Sequence, residues 1–247
     1  MHMADALLSP TVAAVMYAAS AVTAGASVKT LKKDESSAKL PTMAVTSALV
    51  FAGQMINYTI PGTGSSGHIC GGMLLSALLG PQAGFLSMVV ILAIQSLFFA
   101  DGGLLALGAN CWNMAFYGCF VGYYLIWRPI MRSNLFGNRG TCRAKIVLAS
   151  VLGCIVTLQL GAFSVVLETS ASGITELPFG TFVAIMQPIH LAIGLVEGRI
   201  TSAVLIFVYE ARPELLEDAG AAENEGKFSL KKTLAVLAVA AAVIGGG

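Results

Sequence analysis

Charge is what this sequence has least of. Of its 247 residues only 11% are Asp, Glu, Lys or Arg, while 56% are hydrophobic; a water-soluble domain carries about a quarter charged residues. Too few polar groups remain to cover a surface facing water, so a lipid bilayer must be the solvent for much of the chain. The phosphate-binding pattern G-x-x-x-x-G-K-[ST] is absent, and energy from ATP would have to arrive through another chain. The five cysteines, Cys70, Cys111, Cys119, Cys142 and Cys154, show no C-x-x-C spacing. They read as small apolar residues rather than as a disulfide or zinc framework. A net charge of +1 gives no reason to expect a nucleic acid partner. Met1 to Ser9 carries one acid, Asp5, and no Lys or Arg, so the basic opening of a cleavable signal peptide is missing and the first helix is expected to remain in the mature protein.

What is there is a series of apolar runs. Their lengths and breakers predict helices near residues 11–28, 42–60, 68–80, 82–100, 108–127, 146–167 and 179–209. The expected fold is an all-α polytopic membrane protein, a bundle of about seven transmembrane helices, with the N-terminus outside. The third run is short for a span of about 20 residues, and reads as a half-helix or a re-entrant segment. The cationic residues set the orientation. Lys29, Lys32, Lys33 and Lys39 fall in the first loop, Arg128, Arg132, Arg139, Arg143 and Lys145 between the fifth and sixth helices, and Arg212, Lys227, Lys231 and Lys232 after the seventh. These are all of the Lys and Arg residues except Arg199. If the third run counts as a crossing, the three clusters share one side, which the positive-inside rule makes cytoplasmic. Residues 1–209 then form the membrane unit, 210–232 an acidic cytoplasmic linker, and 233–247 the start of a further apolar helix, either a last helix of this unit or the first of a fused accessory component.

Histidine is scarce as well: His2, His68 and His190 are the only three. A histidine in second position has a distinctive chemistry. The Met1 amine, the backbone nitrogen of His2 and its Nδ1 can all bind one metal ion, closing a five-membered and then a six-membered chelate ring. That nitrogen set is planar and leaves one in-plane position, which His68 would fill. Square-planar nitrogen ligation suits Ni(II) or Cu(II), whereas Zn(II) prefers a tetrahedron. The alternative is a freely varying second residue; the apolar run Ala6-Leu7-Leu8 leading into Pro10 speaks instead for an end packed against the protein.

His68 lies in PGTGSSGHICGG, residues 61–72, where five glycines in twelve residues preclude a stable helix. The segment is either an ordinary outer loop or a packed, shaped one. Residues 95–118 are irregular too, around Asp101-Gly102-Gly103 and Gly108-Ala109-Asn110. Gln95, Asn110 and Asn113 there read equally as partners orienting metal ligands or as capping groups of a turn. His190 and Glu197 share one face of the seventh helix, seven residues apart. His190 reads as an alternative ligand, a relay or a hydrogen-bonding core histidine, and Glu197 as a neutralising partner of Arg199. A competing function is an intramembrane hydrolase built on His190 and Glu197; another is a stand-alone ion carrier.

MHMADALLSP, GSSGHICGG, ADGGLLALGANCWNMA and HLAIGLVEGRIT together resemble the CbiM/NikM family, the cobalt- and nickel-specific substrate-binding (S) components of energy-coupling factor transporters. The family typically places a Pro-Asp-Gly turn after Met-His; here Met3-Ala4-Asp5-Ala6 departs from it, with Asp5 in place. The resemblance implies seven spans and a metal bound by the Met1 amine, the His2 amide nitrogen and imidazole, and His68. It implies Ni(II) or Co(II) as the transported substrate, in a prokaryotic plasma membrane. It also implies partners: a transmembrane coupling (T) component, two cytoplasmic ATPase subunits that alone use ATP, and a small accessory membrane component. The chain itself is then no enzyme.

Overall fold

The computed structural model describes residues 1–33, 40–137 and 140–218. The apolar run expected at 233–247, and the linker from residue 219 onward, lie outside the described residues. The elements run β1 (His2–Met3), α1 (Pro10–Lys33), α2 (Leu40–Gln54), β2 (Tyr58–Ile60), β3 (Ser65–Gly67), α3 (Gly72–Leu79), α4 (Pro81–Phe98), α5 (residues 107–131), α6 (Arg143–Ser172) and α7 (Phe179–Ala211). Among the described residues four helices are long and apolar enough to cross a membrane, Pro10–Lys32, Pro81–Phe98, Arg143–Ser172 and Phe179–Ala211; α2 is apolar but shorter. Polarity is distributed as lipid requires. Val22, Val45, Phe98 and Phe207 are each more than 70% exposed, whereas Gln54, Gln95, Asn113, His190 and Glu197 are at most 2% exposed. Large apolar side chains outside and polar ones inside are the signature of a multi-pass membrane protein.

Two features depart from a purely helical bundle. Three short strands form an antiparallel sheet in the order β1-β3-β2, with His2 opposite Ser66 and Thr59 opposite Ser66 on the other edge. The apolar run expected to continue as helix to Ile60 therefore ends at Gln54, because residues 58–60 give their backbone groups to β3. The second departure is α3, which begins at Gly72 rather than His68. Its eight residues are all buried and rise about 12 Å, far less than the ~30 Å hydrocarbon core. It is a half-helix enclosed by the rest of the protein. Gly80 follows with a positive φ (+81°) and an extended ψ (163°), a combination open to glycine, and Pro81 opens α4 in its first turn, the position a helix accepts proline.

Helix α5 turns α-helical at Leu107–Asn110, π-helical through Cys111–Val121 and Tyr123–Trp127, and α-helical again at Arg128–Met131. Its Gly118 touches Gly72 of α3 so closely that a Cβ on either would stand 2.8 Å from the other's Cα. At the opposite end of α3 from His68, the chain beyond α7 folds back. The Glu217 N–H donates to Ala77 O (2.8 Å), Trp127 Nε1 to Glu217 O (3.1 Å) and Tyr123 Oη to Asp218 Oδ2 (2.6 Å), while Arg132 pairs with Asp218.

Gly118→Ala is expected to destabilise the protein by about 1–3 kcal/mol, since backbone meets backbone and no side chain can yield. Thermal unfolding of the detergent-solubilised chain, followed by tryptophan fluorescence, measures this.

Candidate metal centre

The first three residues are a buried segment, with His2 and Met3 forming β1, rather than a loose tail. Met1, His2 and Met3 are at most 3% exposed. Ser65 Oγ donates to His2 O (3.1 Å). Asn110 grips Met3 from both sides: the Met3 N–H donates to Asn110 Oδ1 (2.8 Å) and Asn110 Nδ2 donates to Met3 O (3.0 Å). Gly103 N–H donates to the same carbonyl (3.0 Å). The Asp101-Gly102-Gly103 turn is the wall behind this strand. A Cβ on Gly102 would lie 2.2 Å from His2 Nε2, and one on Gly103 1.7 Å from Asp5 Oδ1. Asp5 Oδ1 in turn accepts the Ala106 N–H (3.0 Å), tying the first turn of the chain to the start of α5.

The structure brings the three sequence-predicted residues together. The His2 and His68 rings sit edge to face with centroids 5.3 Å apart, and the Met1 nitrogen is 2.6 Å from Ser66 O, two residues before His68. His68 Nδ1 lies 2.6 Å from Ile69 O; a carbonyl only accepts, so Nδ1 carries the ring hydrogen and Nε2 the lone pair. That Nε2 is buried and has no hydrogen-bond partner among the described residues. Burial lowers the Met1 amine from 8.0 to about 5. An uncharged amine and an uncharged imidazole are the protonation states in which nitrogen binds metal. His2 Nδ1 stands 3.3 Å from Asp101 Oδ1, within ion-pair distance but outside hydrogen-bond geometry. The His2 ring, and Asn57 Nδ2 donating at 3.0 Å, hold the Asp101 carboxyl below its usual range. Among the described residues no three His, Cys, Asp or Glu side chains are grouped to hold a metal.

His190 is a hydrogen-bonding histidine, with Nε2 2.7 Å from the Met1 nitrogen and Nδ1 2.8 Å from Met186 O. Glu197 does not pair with Arg199, whose side chain is exposed. Its carboxylate turns inward and accepts the N–H groups of Cys70 (2.6 Å) and Gly71 (2.8 Å) at the buried start of α3, where the helix dipole favours negative charge. Gln54 Nε2 donates to Cys70 O (2.5 Å), and Gln95 Nε2 to Gln54 Oε1 (2.8 Å). So the two-residue arm behind His68 is clamped from α7 on one side and from α2 and α4 on the other. Gln95 and Asn110 thus orient the arms of the site. Asn113 donates to Glu168 Oε2 (2.8 Å). Asp101, read in the sequence only as part of a turn, stands beside the His2 ring; Gln54 and Glu168 are partners that reading the sequence missed, a strongly polar residue within or beside an apolar run being the available signal.

The family model CbiM, described as "Cobalt uptake substrate-specific transmembrane region", matches residues 2–215. The chain belongs to the CbiM family. A protein of Archaeoglobus fulgidus with the provisional name of fused nickel transport protein NikMN is 37% identical over 244 residues, 97% of this chain and 75% of that one. The fused nickel transport protein NikMN of Rhodobacter capsulatus is 31% identical, over 87% of this chain and 64% of its own length. A crystal structure of a truncated transition metal transporter superposes with a TM-score of 0.75 at 34% identity, covering 85% of this chain and 99% of that one. The CbiM family is one of transport and not of catalysis. The hydrolase reading of His190 and Glu197 falls with it, since one holds the amine and the other the half-helix.

The buried amine has a consequence for this CbiM-family protein. Its folded value (about 5) lies below the unfolded 8.0, so between those pH values the unfolded chain binds more protons and stability rises with pH. The metal-free protein is expected to melt at a progressively higher temperature from pH 5 to pH 8. A melting temperature flat across this window would contradict an amine buried without charge.

Proposed function

We propose that this CbiM-family membrane protein is the substrate-specific (S) component of an energy-coupling factor type transporter, and that it captures Ni(II), in preference to Co(II), on the outer side for ATP-driven uptake. The ion is held by four nitrogens: the Met1 amine, the His2 amide nitrogen and Nδ1, and His68 Nε2. The observation that carries this reading is the meeting of the Met1 amine, the His2 ring and an unpartnered His68 Nε2 in one buried place. His2 Nδ1 leaves Asp101 for the metal, and Asp101 remains beside the ring as an acceptor for its other states.

Four nitrogens, one of them a deprotonated amide, give the strong in-plane field that stabilises a square-planar d8 ion; Ni(II) gains from it more than Co(II) does. The names of the relatives, nickel transport proteins among them, agree with that preference. The charge distribution supports seven crossings, with α3 and its extended arm counted as one, the N-terminus outside and the basic clusters in the cytoplasm of a prokaryotic cell. Without a phosphate-binding loop of its own, the chain would draw on a transmembrane coupling component and two cytoplasmic ATPases. The acidic linker and the apolar run 233–247 fit the start of a fused accessory membrane component.

The purified chain is expected to bind one Ni(II) per molecule. Adding a single residue before Met1 converts the amine to an amide and should weaken binding by at least 100-fold. His68→Ala should weaken it by a similar order, consistent with the loss of one of four ligands. Titration calorimetry measures both, and an extended chain that binds as tightly as the native one contradicts the chelate. Cells carrying the chain together with its ATPase and coupling partners should accumulate nickel, and cells carrying it alone should not.

A further inference from the structure

An amine binds a metal ion through its lone pair, and in that form it keeps two hydrogens. At Met1 two acceptors stand ready for them: Ser66 O at 2.6 Å and His190 Nε2 at 2.7 Å. The second is an acceptor for a definite reason. His190 Nδ1 lies 2.8 Å from Met186 O, one turn earlier in α7. That carbonyl has no hydrogen to give, so Nδ1 is the ring's donor and Nε2 its lone pair. His190 is 1% exposed, and no water competes for the interaction. The amine is thus held by its two N–H groups, and its lone pair is the one bonding direction left.

We propose that His190 is a positioning residue of the metal centre: by taking one hydrogen of the Met1 amine it turns the amine lone pair, rather than an N–H, toward the incoming ion. The proposal rests on the N-terminal chelate described above and deepens it. It gives α7 a double task, since Glu197, seven residues on along the same face, holds the backbone behind His68. One helix then carries the supports of both arms. Displacing α7 would disturb the amine and the imidazole ligand together, and so weaken the hold on the ion from two sides at once.

Four full-length chains purified in detergent test the idea by Ni(II) titration and absorption spectroscopy: native, His190→Gln, His190→Asn and His190→Leu. Glutamine can place an amide oxygen near the position of Nε2 and accept the same hydrogen; asparagine is polar but too short to reach it; leucine accepts nothing. The Gln chain should bind within about 3-fold of native with an unshifted Ni(II) band. Asn and Leu should both bind 10- to 100-fold more weakly, the range typical for loss of a group that orients a metal ligand. Native-like binding by the Leu chain would overturn the proposal. So would equal failure of Gln and Asn, which would mark His190 as a packing residue or as a ligand itself. A fifth chain, native but extended by one residue before Met1, separates the two levels of the argument. If it binds as tightly as native, the chelate fails and the proposal with it; if it loses binding while the Leu chain keeps it, only the proposal fails.

Discussion

An amino terminus is costly to bury, because outside water its charge has nowhere to go and its hydrogens need acceptors. Most chains leave it in solvent. Here the amine is sunk beneath the surface, and much of the structure around it can be understood as the accommodation of that burial. The amine loses its charge, and one hydrogen goes to a strand carbonyl and one to a histidine in the middle of a helix. The next two residues pair with β3. Asn110 takes both backbone groups of Met3, and the Gly102-Gly103 turn closes over His2 with no room for a side chain. A three-stranded sheet inside a helical membrane protein is unusual economy. It exists because extended backbone away from water must find partners, and the strands supply them to each other.

The same rule governs the other arm. Residues 68–71 lead into the bundle, Gly71 turning left-handed (φ +79°) into α3, and their buried backbone groups need partners. Glu197 meets the N–H groups of Cys70 and Gly71, the two residues before the helix, and Gln54 meets the Cys70 carbonyl. A buried carboxylate held by two backbone N–H groups, with the Cys154 thiol as a third and longer donor, is strong local specification: the half-helix cannot shift by a residue without breaking both backbone bonds. His68 therefore projects from a fixed arm, as His2 does from a fixed strand. The result is a site assembled from backbone as much as from side chains.

Much of this was legible in the sequence. The apolar runs located α1, α2 and α4 to α7 within a few residues, because lipid imposes length and composition on a span. The meeting of Met1, His2 and His68 followed from the chelating chemistry of a second-position histidine and from the resemblance to a metal-binding family. The sheet was not legible. Tyr58-Thr59-Ile60 continues an apolar run, and only a partner strand 5 to 9 residues further on, Ser65–Gly67, pulls it out of the helix. Nor was the inward turn of Glu197, since Arg199 stands two residues away and sequence spacing says nothing of which side of a helix meets which loop. The π-helical course of α5 leaves no mark in composition; it appears where Gly118 must meet Gly72.

In the proposed site four nitrogens, three of them from the first two residues, hold the transported ion in a plane, and X-ray absorption of the nickel-loaded protein sees them. A single shell of four nitrogens and the sharp pre-edge feature of square-planar Ni(II) are expected. A six-coordinate shell containing oxygen, or any sulfur ligand, would overturn the planar chelate.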